Sequence, residues 1–87
     1  MSGRFEELRA EITANDEAIV AAVNRRLELV ADLWQLKVEL GLETADPDRE
    51  RRLREHLAAT SNGRLSAEGV DRLVTVLLDL TKRELGS

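Results

Sequence analysis

The stretch from Phe5 to Leu40, FEELRAEITANDEAIVAAVNRRLELVADLWQLKVEL, contains neither proline nor glycine. Apolar residues recur along it at Phe5, Leu8, Ile12, Ile19, Ala22, Leu29, Leu33, Leu36 and Leu40, a heptad-like stripe that predicts one unbroken helix. At 1.5 Å per residue that helix runs roughly 50 Å, against the ~30 Å diameter of a small domain. Its far end has nothing of its own chain to pack on.

Working outward, Gly41 reads as a left-handed cap for the first helix. Leu42 to Ala45 form a connection that ends at Asp46-Pro47, an N-cap followed by proline at the first helical position. A second helix runs from there through Arg49, Leu53 and Leu57 to Ala59. It stops at Thr60-Ser61-Asn62-Gly63, residues that favour turns and the left-handed region. Ser66 caps a third helix, with Glu68 in its first turn and Val70, Leu73, Val74, Leu77, Leu78 and Leu85 on one face; Gly86 and Ser87 end it. The 47 residues after Leu40 can cover only part of the long stripe, so a lone chain would leave a large apolar surface bare. The expectation is an all-α fold, a single domain over residues 1–87, with three helices per chain and a very long first helix, assembled as an intertwined, domain-swapped, two-fold homodimer.

Composition narrows the chemistry. The chain has 87 residues, 43% hydrophobic and 34% charged, with one proline and five glycines, which describes a helix-rich globular protein near the lower size limit for a single core. There is no cysteine and one histidine, His56, so disulfides, thiolate metal sites and a cysteine nucleophile are excluded; no metal and no cofactor are expected. No run reaches the length of a membrane span, and the opening MSGRFEEL has acids where a signal peptide has its apolar core, so no membrane is expected and the location reads as cytoplasmic. A net charge of -4 and only two aromatics, Phe5 and Trp34, argue against nucleic acid as a partner.

Function is sought where charge interrupts the stripe. Arg26 occupies the same heptad position as Phe5, Ile12, Ile19, Leu33 and Leu40, on the inward face. A charge there must be paired, with an acid of the protein or with an anionic ligand. Lys37 follows eleven residues later, about 20° beyond three full turns, so both cations share one face. Arg9, seventeen residues earlier, projects about 100° away, on the flank that would meet a partner chain. The second helix offers Asp46, Arg49 and Glu50 in its first turn. The run Asp48-Arg49-Glu50-Arg51-Arg52 reads most simply as a solvated face, Asp46 as a cap alone, and His56 as surface or rim. A pocket with Arg9 from one chain and Arg26, Lys37 and Arg49 from the other would nevertheless demand a small polyanion.

Leu8-Arg9, Ile12, Asp16, Ile19, Arg26, Lys37, Gly41, Asp46 and Arg49-Glu50 together resemble the pattern of the all-helical (type II) chorismate mutase family, over nearly the whole chain. The resemblance implies a domain-swapped dimer with two identical sites, each completed by an arginine of the other chain. It implies chorismate as substrate, rearranged to prephenate for phenylalanine and tyrosine biosynthesis without nucleophile, metal or cofactor. Arg9 of the partner chain and Arg26 would hold the two carboxylates with help from Arg49, Lys37 would donate to the ether oxygen, and Asp46 and Glu50 would bond around the ring hydroxyl. Thr81 stands where the family commonly has a small hydroxyl residue.

One position departs from that pattern. Four residues after the hydroxyl, better-known members place a glutamine that shares the ether oxygen with the lysine, and here Leu85 is found. A one-residue shift of register near Asn62-Gly63 would put Glu84 there instead; it donates only when protonated, so such a site would favour acidic pH. The ending Lys82-Arg83-Glu84-Leu85-Gly86-Ser87 is similar to that of short actinobacterial members, which are feeble alone and activated by DAHP synthase, the enzyme that opens the shikimate pathway. Readings that compete are an isochorismate pyruvate-lyase or aminodeoxychorismate mutase on the same fold, a non-catalytic helical dimerisation module, and a bare coiled-coil adaptor.

Overall fold

The computed structural model describes residues 3–86; Met1, Ser2 and Ser87 of the opening and closing segments quoted above lie outside them. The described residues form three helices, α1 (Gly3–Glu39), α2 (Pro47–Thr60) and α3 (Ala67–Leu85), with no strand among them. At 37 residues α1 is about 55 Å long and accounts for the elongated outline of the chain, 60 × 23 × 17 Å. No helix among the described residues is long and apolar enough to cross a membrane.

Local chemistry sets the helix ends. Gly41 has a φ of 73°, and the Leu42 and Gly41 N–H groups donate to the carbonyls of Lys37 (2.8 Å) and Val38 (3.1 Å). This double closure satisfies carbonyls that a helix end leaves open and needs a residue free to adopt positive φ. Asp46 caps α2, its Oδ1 accepting from the Arg49 N–H at 3.1 Å, with Pro47 just inside; Ser66 caps α3 by accepting from the Gly69 N–H at 3.0 Å. The end of α2 differs from expectation. Ser61 is extended (φ -72°), and no residue from Thr60 to Gly63 has positive φ. Hydroxyls close this turn instead: Thr60 donates to the His56 carbonyl at 2.8 Å and Ser61 to the Leu65 carbonyl at 2.9 Å.

α3 is the central helix. It packs on both α1 and α2, which do not pack on one another. Its buried row is Val70, Val74 and Thr81, spaced so that they line one helical face. Leu73, expected on that face, is 46% exposed, because its direction lies about 100° from that of Val74. On the far side Arg54 of α2 donates to the Asp71 carboxylate (2.7 Å) and backbone carbonyl (3.0 Å), fixing the α2–α3 pairing.

α1 divides into two halves. Every described residue from Gly3 to Ala22 is exposed, whereas Val23, Arg26, Leu27, Val30, Trp34 and Lys37 are half-buried. Relative to Arg26, those six occupy an arc from 0 to about 100° on one side, while Leu29, Leu33 and Leu36 lie up to about 80° to the other. The placement of Arg26 in the middle of the inward face is therefore corrected. α3 covers the flank beside the stripe, Arg26 stands on the border, and the stripe stays bare from Phe5 (54% exposed) through Ile12 (60%) to Leu40 (63%).

Candidate active site

Because α1 and α2 meet only through α3 and their connection, a gap of about 700 Å³ remains between them. That volume suits a small molecule. α1 lines it with Arg26, Leu29, Val30, Leu33, Trp34 and Lys37, and the connection with Thr44, Ala45 and Asp46. α2 adds Pro47, Arg49, Glu50 and Leu53, and α3 adds Leu78, Thr81 and Lys82. Four cations and two carboxylates thus face one space, an excess of two positive charges.

Each polar group has a structural reason for its position. The Arg26 Nη1 donates to Thr81 Oγ1 at 2.6 Å, and that hydroxyl donates in turn to the Leu77 carbonyl at 2.8 Å. Thr81 is 5% exposed, so the guanidinium is tied to a fixed point of α3. Lys37, whose carbonyl takes part in the glycine closure, directs its Nζ to the Thr44 carbonyl at 3.4 Å across the connection. Asp46 both caps α2 and lines the gap. The charged run of α2 splits as its helical geometry requires. Asp48 and Arg51 pair with each other on the outer side (3.4 Å) while Arg49 and Glu50 face inward.

No carboxylate among the described residues lies within ion-pair distance of Arg26, Lys37, Arg49 or Lys82; the ion pairs among those residues use Arg4, Arg25, Arg51, Arg54 and Arg83. Of the two ways to compensate Arg26, an internal acid is thus absent among those residues and a hydroxyl stands in its place. An anion entering the gap would find cations whose charge is not already neutralised.

Of the residues singled out from sequence, the structure brings together Arg26, Lys37, Asp46, Arg49, Glu50 and Thr81. Arg9, Glu84 and Leu85 lie outside. Arg9 is about 25 Å along α1 from Arg26, its guanidinium over the Phe5 ring at 4.6 Å. Glu84 is exposed, and Leu85, the last residue of α3, is half-buried away from the gap. His56 is exposed on α2. Sequence reading missed the apolar wall of Trp34, Val30, Leu53 and Leu78, and it missed Lys82. Trp34 was legible in principle, four residues after Val30 and three before Lys37. Among the described residues no group of histidines or carboxylates is arranged to hold a metal.

A three-helix chain with a long first helix and a cationic gap beside it has known counterparts. Residues 8–84 match the family described as chorismate mutase type II, and the chain belongs to that family: it is an isomerase whose substrate is chorismate. Two solved structures of chorismate mutase from Thermus thermophilus are similar to it. Form I is 28% identical with a TM-score of 0.85, over 90% of this chain and 98% of that one. Form II is 28% identical with a TM-score of 0.84, over 90% and 89% respectively. No curated protein matches the chain. The family match favours the mutase over the lyase, the aminodeoxychorismate mutase and the non-catalytic scaffold considered from sequence.

Proposed function

We propose that the gap between α1 and α2 is the site where chorismate rearranges to prephenate, in a dimer that brings Arg9 of one chain to the gap of the other. The observation that carries this reading is the set of cations, without ion-pair partners among the described residues, around a gap of about 700 Å³ that admits a small dianion. Chorismate has two carboxylates, and the cations lining the gap outnumber the lining carboxylates by two before Arg9 of the other chain is added. Its rearrangement breaks a C–O bond while a C–C bond forms within one molecule, so the protein has to position and to stabilise charge, not to supply a nucleophile.

Arg26 and the second chain's Arg9 hold the carboxylates, with Arg49 assisting; guanidinium forks suit planar carboxylates. Lys37 donates to the ether oxygen, where negative charge grows in the transition state. Asp46 and Glu50 flank the ring hydroxyl, whose single proton one of the two carboxylates accepts. Thr81 works through Arg26: its single O–H is given to the Leu77 carbonyl, so what it offers the site is an acceptor that aims the guanidinium. Glu84 and Leu85, being outside the gap, take no part in the ether-oxygen contact in this arrangement.

The dimer is supported by the bare stripe on α1 and by the distance from Arg9 to its own chain's gap, which no side chain spans. A cytoplasmic location accords with this activity. The exposed end of α3, Lys82 to Glu84, supports a further reading in which DAHP synthase docks there and raises a low basal rate. The experiment is a chorismate assay by loss of ring-diene absorbance, with and without the synthase. Lys37→Ala should lower kcat by at least about 100-fold, since it removes a donor needed chiefly in the transition state; near-normal turnover would remove Lys37 from its assigned role.

A further inference from the structure

Lys82 stands apart from the charges assigned so far. It follows Thr81 on α3 and lines the gap beside Leu78 and Thr81, yet it makes no ion pair among the described residues. Its neighbours account for that. The acid one turn before it, Asp79, is taken by Arg83, whose Nε lies 3.0 Å from the Asp79 carboxylate on the outer side of the helix. The two adjacent cations of α3 therefore have different fates: Arg83 is neutralised at the surface, and Lys82 is left with its charge beside the gap.

The charge balance gives that difference a meaning. Arg26, Lys37 and Arg49, with Arg9 of the second chain, already exceed the two lining carboxylates by the two charges of a dicarboxylate ligand, so Lys82 is a further cation that adds attraction at the gap. An ammonium on a flexible four-carbon stem at an exposed position is a poor device for orienting a substrate and a good one for attracting it. We infer that Lys82 is a substrate-binding residue at the mouth of the site, holding a carboxylate of the incoming dianion and acting on capture more than on turnover. This rests on the chorismate reading of the gap. Binding that is equally strong in the ground and transition states raises affinity without raising kcat, which separates Lys82 from Lys37.

Steady-state kinetics on the full chain, at low and at high salt, test the inference. Lys82→Ala should raise KM for chorismate about two- to fivefold at low ionic strength, the range of an exposed charge contact, with kcat changed less than about 1.5-fold. The gap between variant and wild type should narrow in high salt, where exposed charges are screened. Lys82→Arg should restore KM, and Arg83→Ala, which removes the neighbouring cation outside the gap, should leave KM and kcat unchanged. Circular dichroism of each variant checks that α3 is intact. An unchanged KM in Lys82→Ala, or an equal rise in Arg83→Ala, overturns the role of Lys82 while leaving the mutase reading in place; a wild-type protein inactive on chorismate overturns both.

Discussion

The two halves of α1 are one continuous helix serving two different surroundings. From Val23 to Lys37 the helix turns one flank to α3 and lines the gap with Arg26, Trp34 and Lys37. From Gly3 to Ala22 every residue is exposed, Phe5, Leu8, Ile12 and Ile19 of the stripe among them. Isolated helices draw little stability from propensity alone, so a projecting helix with an apolar stripe is built for contacts that its own chain does not supply. In the proposed dimer the first half does the work of assembly and delivers Arg9, and the second half does the work of chemistry.

That division can be broken most severely from the assembly half. Ile19→Asp places a charge on an exposed residue, and if the chain worked alone it would change stability by no more than about 0.5 kcal/mol. In the dimer the same carboxylate is buried without a partner, so the expected outcome is elution at monomer size and loss of activity at micromolar protein. Full activity in a species of monomer size would end the dimer proposal.

A finer separation comes from mixing variants. Arg9→Ala and Lys37→Ala should each be nearly inactive, one damaged in the delivered arginine and the other in the body of the site. Unfolded together and refolded in equal amounts, they should recover about a quarter of wild-type activity, because half of the dimers are mixed and each mixed dimer has one undamaged site. Absence of recovery would place Arg9 outside the site of the other chain.

Within the chemical half, Thr81→Val keeps the shape of the side chain and removes the acceptor of Arg26. KM should rise about tenfold, the cost of leaving a charged donor short of its partner, and Thr81→Ser should remain close to wild type. If Thr81 acts through Arg26, the valine should have no further effect in an Arg26→Ala background. The smallest effect is expected away from both functions. Ser66→Ala removes the cap of α3 and should cost about 1 kcal/mol, a fall in Tm of several degrees, with kcat and KM unchanged.

Much of this was legible in the chain itself. The absence of proline and glycine from Phe5 to Leu40 marks a single long helix, and Gly41, Asp46-Pro47 and Ser66 mark the ends of the elements, because capping depends on residues next to one another in sequence. Arg26 and Lys37 were also within reach, since helical periodicity puts both on a common face, whereas Asp46, Arg49 and Glu50 took their roles in the site through the family resemblance. The end of α2 was read less well. Thr60 and Ser61 bond back to carbonyls through their hydroxyls, an alternative to the left-handed turn that composition does not distinguish.

What only the tertiary structure decided is how one helix sits against another. Periodicity gives the direction of a side chain around its own axis and says nothing of which flank a neighbour will cover. α3 could have packed on the stripe; instead it packs beside it, which leaves the stripe bare, moves Arg26 to the border and opens the gap between α1 and α2. The bond from Arg26 to Thr81 joins residues 55 apart, and the inward position of Lys82 follows from the rotation of α3 that buries Val70, Val74 and Thr81. Local sequence settles the helices and their ends because those are short-range interactions; the site depends on the rotation and offset of three helices, which are set by packing over the whole chain.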